Sequence, residues 1–423
     1  MKEDFLHYLW KYKKFEQSNI QTINGEAIKI INSGQFLEQA GPDFFNAQLI
    51  IGNQKWAGNV EIHLKSSDWY LHHHEKDQAY ETIILHVVWE HDIEVFRNNN
   101  TEIPVLELKN YVDKSIVENY KKLLHPKSWI YCEKQIANVD EFVLSNWKER
   151  LFFERLERKS IPIFSLLETT QNDWETVLFC LLGKNFGLNT NGEVFYKIAQ
   201  SIPFSIIRKE SFDLENLESL FLGNAQLLVS EKEDVYFKNL VSRFEYLQHK
   251  YNLREIIIEP VQFFKHRPDN FPTIRLVQLA NLYHHQANLF TKIIDVNSVQ
   301  QVYEIFNTSV SEYWRTHYLF DKESAFKKKT LSKSFIDLIL INTIIPFQFA
   351  YAKNQGKEIS ENLIQLMKEI SPESNAVIQK FNSFKIYSKN AFDSQSLLQL
   401  KNEYCNKSKC LECAIGIDLL KIN

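Results

Sequence analysis

Four residues near the N-terminus have side chains and spacing suited to metal-assisted hydrolysis. Asp43 stands at the head of one strand-like segment, and Glu61, His63 and Lys65 occupy alternate positions of the next one. Because a strand has a period of two residues, the last three side chains share one face. Carboxylates on neighbouring strands are suitable ligands for Mg²⁺ or Mn²⁺. The pattern predicts a catalytic site of these four residues, with Asp43 and Glu61 as metal ligands.

Two alternatives stay open for this pattern. His63 is suited either to general-base catalysis, because the pKa of a free imidazole is about 6.5, or to metal binding. The competing structural interpretation is that Glu61, His63 and Lys65 form the solvated face of a half-buried strand.

A histidine further along the chain is a second candidate metal ligand. His86 lies in an apolar strand-like segment, and a buried imidazole there needs a polar partner. A carboxylate of the predicted site is one such partner. The neighbouring histidines at 72–74 are expected to lie mostly on the surface.

A cluster of cysteines near the C-terminus predicts a second metal site. Cys405, Cys410 and Cys413 follow a C-x4-C-x2-C spacing, which suits either zinc or an iron–sulfur cluster. A fourth ligand is needed, and Cys132 is the best candidate because Cys180 lies in an apolar segment. The alternative is that these are reduced structural cysteines without a metal.

The elements that must position these residues change in type along the chain. Periods of three to four residues predict helices, and alternation predicts strands. In order, the N-terminal part reads as a helix at 4–15, strands at 27–32, 43–52 and 55–65, a helix at 72–82, and strands at 83–91 and 103–108. Beyond about residue 140 helical periodicity dominates. The prediction is an α+β protein with an αβββαβ domain at 1–130 and a large all-helical domain at 131–423.

Bulk composition limits the possible partners and compartments. The formal net charge is only −4, so a nucleic-acid partner would need a locally basic face. No apolar run reaches the roughly 20 residues of a membrane span, and no signal peptide is recognisable. Three of the five cysteines lie within nine residues, which does not suggest a disulfide framework. We therefore expect a cytoplasmic protein without a membrane partner, and the oligomeric state stays open.

The N-terminal pattern resembles the PD-(D/E)XK nuclease fold. The resemblance rests on Pro42-Asp43 and Glu61-Ile62-His63 in the αβββαβ order, over about residues 4–95. It implies that Asp43 and Glu61 bind Mg²⁺ or Mn²⁺. His63 replaces the expected lysine, and Lys65 lies one pleat further on the same face. The implied function is nuclease-like, metal-dependent phosphodiester hydrolysis on DNA or RNA. The alternative is a non-catalytic module that retains the fold and binds nucleic acid or protein.

The resemblance also bears on the cysteines. Some nucleases of that superfamily carry an iron–sulfur cluster that closes the chain ends around the catalytic core. It thus favours an iron–sulfur cluster, whereas a C-x2-C half-site favours zinc.

The whole chain resembles an uncharacterised bacterial family catalogued as domain of unknown function 2851. The matching segments include GPDF at 41–44, GNVEIH at 58–63 and YCNKSKCLECAIG at 404–416. This resemblance implies one integrated architecture and no assigned activity.

Overall fold

The computed structural model describes residues 1–36, 41–123, 128–229, 232–254, 256, 258–264 and 266–421. The chain forms two compact units. The sheet unit comprises Met1–Lys148, Lys380–Ile386 and Leu398–Asn423, and the helical unit comprises Glu149–Gln379 and Tyr387–Leu397. This division differs from the predicted boundary at residue 130, because residues 131–148 and the C-terminal cysteine segment pack with the N-terminal sheet.

A six-stranded mixed sheet forms the centre of the sheet unit. Its strands are β1 (Ile28–Asn32), β2 (Gln35–Phe36), β3 (Phe44–Ile51), β4 (Gln54–Lys65), β5 (Ile83–Glu90) and β6 (Val105–Glu107). The order is β1-β3-β4-β5-β6, with β2 also beside β3. The pairs β1/β3 and β3/β4 are antiparallel, whereas β4/β5 and β5/β6 are parallel. The predicted strands, and the α+β class, are confirmed.

Residue pattern explains how β3 and β4 meet. A β-bulge at Asn46, whose φ is +55°, shifts the register so that Phe44 and Ala47 are both buried. Gly58 lets β4 approach β5 closely, since a Cβ there would overlap Ile84. The bulge therefore sets the start of β3 beside the middle of β4, and the glycine sets how closely β4 and β5 pack.

Helix α1 (Glu3–Lys11) packs against β4 and divides into two faces. Phe5, Leu6 and Leu9 are fully buried in the core shared with the sheet. Glu3 and His7 are four residues apart and therefore lie on one face of the helix. This face carries an imidazole to the edge of the sheet where Asp43 lies.

The connection between β4 and β5 does not contain the helix predicted at 72–82, so that prediction is wrong. It contains α2 (Asp68–Leu71) and two 3₁₀ turns, His74–Lys76 and Gln78–Tyr80. The segment has no apolar stripe, and His73 adopts a left-handed conformation with φ of +59°. Histidine tolerates that region better than most residues, but a regular helix cannot pass through it.

The rest of the chain is mostly helical, as predicted. Helix α3 spans Lys114–Leu123, and the later helices are α4 (Glu141–Thr169), α5 (Trp174–Phe186), α6 (Leu188–Ser201), α7 (Phe204–Glu210), α8 (Leu214–Asn224), α9 (Val235–Tyr251), α10 (Pro272–His285), α11 (Leu289–Asp295), α12 (Val299–Ile305), α13 (Lys333–Ile339), α14 (Ile345–Asn354), α15 (Ser360–Glu369), α16 (Ala376–Ser383), α17 (Ala391–Gln399) and α18 (Ala414–Leu419). A short hairpin, β7 (His317–Leu319) with β8 (Lys322–Glu323), interrupts them.

One helical stretch has the length and composition of a membrane span. It covers Lys333–Asn354, in which a π-turn at Leu340–Ile344 joins α13 and α14. Of its most apolar window, 72% is buried inside the folded chain. Such burial is expected of a core helix.

Candidate functional site

Strands β4 and β5 place three site residues side by side. Along β4, Val60 and Ile62 face the core shared with α1, so Glu61 and His63 face the opposite side of the sheet. Glu61 is 5% exposed and His63 is 2% exposed. The parallel register sets Glu61 opposite His86, which is fully buried. His63 Nδ1 lies 2.8 Å from His86 Nε2.

The segment after α2 adds two more imidazoles. His72 ends α2 and His74 begins the next turn, and the left-handed His73 between them turns both rings toward β4. His63 Nε2 lies 3.1 Å from His72 Nδ1. Glu61 Oε1 lies 3.4 Å from His74 Nε2 and 3.6 Å from His63 Nε2. The ligand nitrogens of His63, His72 and His74 all lie within 4.8 Å of one another.

These separations match the size of a metal coordination shell. Metal–nitrogen bonds of about 2.0–2.1 Å in a tetrahedral site place the ligand atoms about 3.4 Å apart. The observed distances of 3.1, 3.4 and 3.6 Å fall on both sides of this value. The three imidazoles of His63, His72 and His74 can therefore hold one metal ion, and Glu61 lies beside two of them, His63 and His74. These four residues are hereafter the Glu61–His site (Glu61, His63, His72 and His74).

Aromatic side chains fix the His74 ring. Tyr80 stacks on it with ring centroids 3.8 Å apart. Trp69 contacts it edge-on at 5.4 Å, and the Trp69 indole donates a hydrogen bond to the Phe96 carbonyl. Trp69 is fully buried and Tyr80 is 8% exposed, so the ring is held by packing rather than by solvent.

Asp43 contacts the other oxygen of Glu61, and His7 contacts Asp43. The Asp43 main-chain N–H donates to Glu61 Oε2 at 3.2 Å. The Asp43 carboxylate accepts the Ile62 N–H, and its Oδ2 lies 3.1 Å from His7 Nε2. The structure thus brings Asp43 and Glu61 together, and it adds His7 from α1 to the pair.

The remaining predicted residues lie elsewhere. Lys65 is at the exposed end of β4, where its main-chain N–H bonds the Asp68 side chain. His86 lies behind His63, on the ring nitrogen that points away from Glu61. Sequence reasoning missed His7, His72 and His74 as members of the cluster. The density of histidines was a usable signal for the last two, but the assumed helix separated them.

Burial and neighbouring groups shift the pKa values of Glu61 and His63 in this cluster. Burial, with Asp43 nearby, raises the pKa of Glu61 to about 9. Burial and the adjacent imidazoles lower the pKa of His63 to about 2, which keeps the ring neutral. In the described ranges neither Glu61 nor Asp43 pairs with a lysine or arginine, and their ion-pair contacts are with histidines. A divalent cation would compensate these buried carboxylates.

The four predicted cysteine ligands line one small cavity. Cys132, Cys405, Cys410 and Cys413 surround about 20 Å³ within the sheet unit. Burial, with Cys413 and Cys410 nearby, raises the pKa of Cys132 to about 12. The thiols are therefore mutual neighbours, as the spacing predicted. Cys180 is fully buried in the core of the helical unit, apart from them in the chain's other unit.

A glycine permits the C-terminal part of this arrangement. Gly416, in α18, lies so close to Cys410 that a Cβ there would overlap the Cys410 carbonyl. The loop between Cys405 and Cys410 is also tied to the segment of Cys132, because the Tyr131 and Ser408 hydroxyls are 3.1 Å apart.

The fold and the site define a mixed α+β protein with a histidine-rich candidate metal centre. A family model described as a protein of unknown function, DUF2851, matches residues 3–376, so the chain belongs to that family. The predicted family membership is confirmed. No curated protein and no solved structure matches the chain.

Proposed function

We propose that the sheet unit is a metal-dependent phosphodiesterase that hydrolyses nucleic acid. The observation that carries the proposal is the Glu61–His site, in which three imidazole nitrogens are spaced for one ion and Glu61 lies beside two of them. The second Glu61 oxygen accepts the Asp43 main-chain N–H, and the Asp43 carboxylate pairs with His7. The parallel pairing of β4 and β5 supports it, although their connection is the short α2 with two 3₁₀ turns in place of the second helix of the αβββαβ order.

The donor set favours a transition metal. Imidazole suits Zn²⁺, Fe²⁺ and similar ions, whereas Mg²⁺ prefers oxygen ligands and water. Of the two ions predicted from sequence, Mn²⁺ therefore fits three imidazoles and one carboxylate better than Mg²⁺. Bound there, a divalent ion would polarise a phosphoryl oxygen and lower the pKa of a water molecule.

The Asp43–His7 pair is suited to handle the proton of the attacking water. Burial lowers the pKa of His7, but the adjacent Asp43 outweighs it, so the net shift is upward. Both side chains are about one-fifth exposed, whereas the His7 Nε2 atom that faces Asp43 is buried. His63 is not suited to this role, because its two ring nitrogens face His86 and the Glu61–His site. In this proposal Asp43 and His7 accept the proton of the attacking water, the role that the nuclease resemblance assigns to a lysine.

One observation favours the non-catalytic alternative. Structural metal sites are closed by four protein ligands, whereas catalytic sites keep a position open. Three imidazoles fill three positions, and a carboxylate shift of Glu61 toward the ion would fill the fourth, which would leave a fold-stabilising ion in a binding module. His72 is the exposed member of the set, so its position is the one that a substrate oxygen could share.

We also propose that Cys132, Cys405, Cys410 and Cys413 bind a structural metal. Their cavity of about 20 Å³ suits a single small occupant, because a water molecule needs about 10–15 Å³ on the same kind of measure. This favours zinc over a multi-iron cluster. Elemental analysis of anaerobically purified protein tests this assignment. A molar equivalent of iron together with sulfide would show that the cysteines bind an iron–sulfur cluster and not zinc.

A matched pair of variants tests the Glu61–His site. His74→Asn removes a ligand, whereas His73→Asn removes an adjacent imidazole and keeps a residue that tolerates a positive φ. We expect His74→Asn to lose the bound metal and the metal-dependent cleavage of a small phosphodiester, and His73→Asn to retain both. Metal binding without cleavage of the small diester or of DNA or RNA would establish the non-catalytic alternative. Equal metal content in the two variants would refute the site.

A further inference from the structure

A cleft in the sheet unit leads away from Asp43 and His7. Its volume is about 570 Å³, within the roughly 300–1,000 Å³ of typical ligand sites. Its lining comes from α1, from Phe36 on β2 and from the C-terminal segment at 407–412. Since Asp43 donates its N–H to Glu61, the inner end of the cleft adjoins the Glu61–His site.

Charged side chains of both signs line this cleft. Among the described residues the lysines are Lys2, Lys11, Lys407 and Lys409, and the carboxylates are Asp4, Asp43 and Glu412. Lys407 and Lys409 pair with Glu403 and Glu412, three or four residues away. Exposed pairs of this kind contribute only about 0–1 kcal/mol, so a phosphate can replace either carboxylate at small cost. The lining thus holds one more lysine than carboxylates, whereas the whole chain has a net charge of −4, and this local excess favours a polyanion.

Aromatic rings lie beside these cations. Tyr12 is 43% exposed, and Phe36 is partly exposed on the neighbouring β2. The Lys11 ammonium lies 5.7 Å from the Tyr12 ring centroid and 5.2 Å from that of Phe36. Lysines that follow a backbone, with aromatic faces between them, are the usual surface for unpaired bases. In a duplex the faces of the bases are stacked on each other, so these rings favour a single strand.

The cysteine site holds one wall of the cleft. Lys407, Ser408 and Lys409 all lie in the loop between Cys405 and Cys410. The loop bends at Ser408, whose φ is +57°, and the Lys409 N–H donates to the Tyr404 carbonyl at 2.9 Å. A group bound by the flanking thiols would therefore fix where both ammonium groups lie.

We propose that this cleft binds single-stranded nucleic acid and that the Cys405–Cys410 loop is its strand-binding wall. Phosphates of the strand contact Lys2, Lys11, Lys407 and Lys409, and a base stacks on Tyr12 or Phe36. The strand then reaches Asp43 and His7 from the α1 side. The inference rests on the proposed phosphodiesterase function and adds the substrate form and its binding surface.

Strand binding can be measured without cleavage, which separates the inference from the proposed function. The probes are labelled single-stranded DNA, single-stranded RNA and duplex DNA of one sequence, and anisotropy is followed over a salt series in the His74→Asn background. Lys407→Gln combined with Lys409→Gln is compared with Lys421→Gln. Lys421 is an exposed lysine of the same segment that pairs with Asp418 and does not line the cleft.

We expect the double variant to bind single strands more weakly, whereas Lys421→Gln binds like the parent. Each lost phosphate contact should reduce the slope of log affinity against log salt by about 0.7, so two contacts reduce it by about 1.4. Cys410→Ser should weaken strand binding in the same direction, because it releases the wall. Tighter binding of DNA than RNA, or the reverse, identifies which strand the cleft accepts.

Three results would overturn the inference: equal slopes for the double variant and Lys421→Gln, preferential binding of the duplex, or no binding of any nucleic acid. The proposed function is judged separately, by hydrolysis of a small phosphodiester in the parent protein and its loss in His74→Asn. If strand binding depends on Lys407 and Lys409 but no hydrolysis is seen, the cleft is a strand-binding site and the proposed phosphodiesterase function is refuted.

Discussion

Replacing His86 by phenylalanine is expected to weaken metal binding without direct contact with the metal. His63 faces the Glu61–His site through Nε2, so when it binds a metal its proton must reside on Nδ1. That N–H then donates to His86 Nε2 at 2.8 Å. Burial lowers the pKa of His86 to about 3, so its ring is neutral and can accept this hydrogen bond at neutral pH. Phenylalanine keeps a ring at this position and removes the acceptor.

The expected loss follows from the burial of both partners. Leaving a buried N–H unpaired costs about 1–3 kcal/mol. At about 1.4 kcal/mol per tenfold change, the metal dissociation constant should rise by roughly 5- to 150-fold. Partners of metal-binding histidines typically contribute about 10–100-fold, in the same range. In the metal-free protein His63 can carry its proton on Nε2, where His72 and Glu61 are near, so stability without metal should fall less.

Competition of Zn²⁺ or Mn²⁺ against a chromophoric chelator measures the affinity, and thermal unfolding with and without metal measures stability. Leu85→Ala is the matched control. Leu85 is fully buried on β5 next to His86 but faces the core shared with α1. It should cost about 2–5 kcal/mol of stability and leave the metal affinity unchanged. Wild-type affinity in His86→Phe, or an equal loss in Leu85→Ala, would refute the reasoning.

Three further predictions concern pH and the cysteines. Because the pKa of His63 is lowered in the folded protein, metal-free stability should fall as pH falls below about 6.5. Because the pKa of Glu61 is raised, metal-free stability should also fall as pH rises from about 4.5 toward 9. The metal-free melting temperature should therefore be highest between about pH 4.5 and 6.5, and the increase in melting temperature on adding metal should grow with pH. Cys410→Ser should reduce metal content, whereas Cys180→Ser should not; equal content would refute the cysteine site. Gly416→Ala should reduce it too, because its Cβ displaces the Cys410 carbonyl; full occupancy would contradict that packing.

The strands and the pairing of Asp43 with Glu61 were predictable because both depend on local pattern. Alternating apolar residues identified β3 and β4. The antiparallel pairing of these consecutive strands then sets the start of β3 beside the middle of β4, which brings Asp43 next to Glu61. Cys132 lines one cavity with the C-terminal thiols, the grouping expected from the need of a proposed three-thiol metal site for a fourth ligand.

The imidazole ligands were not predictable by the same route. A helix through 72–82 would spread consecutive histidines around its axis, whereas the left-handed His73 turns His72 and His74 toward one point. No local pattern signals that φ. His7 reaches Asp43 only through the packing of α1 on β4, a contact between distant parts of the chain. Tertiary structure therefore completes a site of which the sequence shows only the strand residues.

The two kinds of binding surface differ in the precision that they need. Metal ligands must be held to within about 0.5 Å, and sites built on regular elements achieve this more reliably than sites on loops. Glu61 and His63 lie on β4, and His86 lies opposite Glu61 on β5, so a continuous ladder of main-chain hydrogen bonds sets their spacing. Lysines act on phosphates through charge over several ångströms and tolerate a less exact position. A loop such as that at 406–409 is sufficient for them once Cys405 and Cys410 anchor its two ends. The family match includes the entire Glu61–His site but ends at residue 376, before these cysteines. Exchange of the loop would therefore be expected to change strand affinity without altering the geometry of the metal ligands.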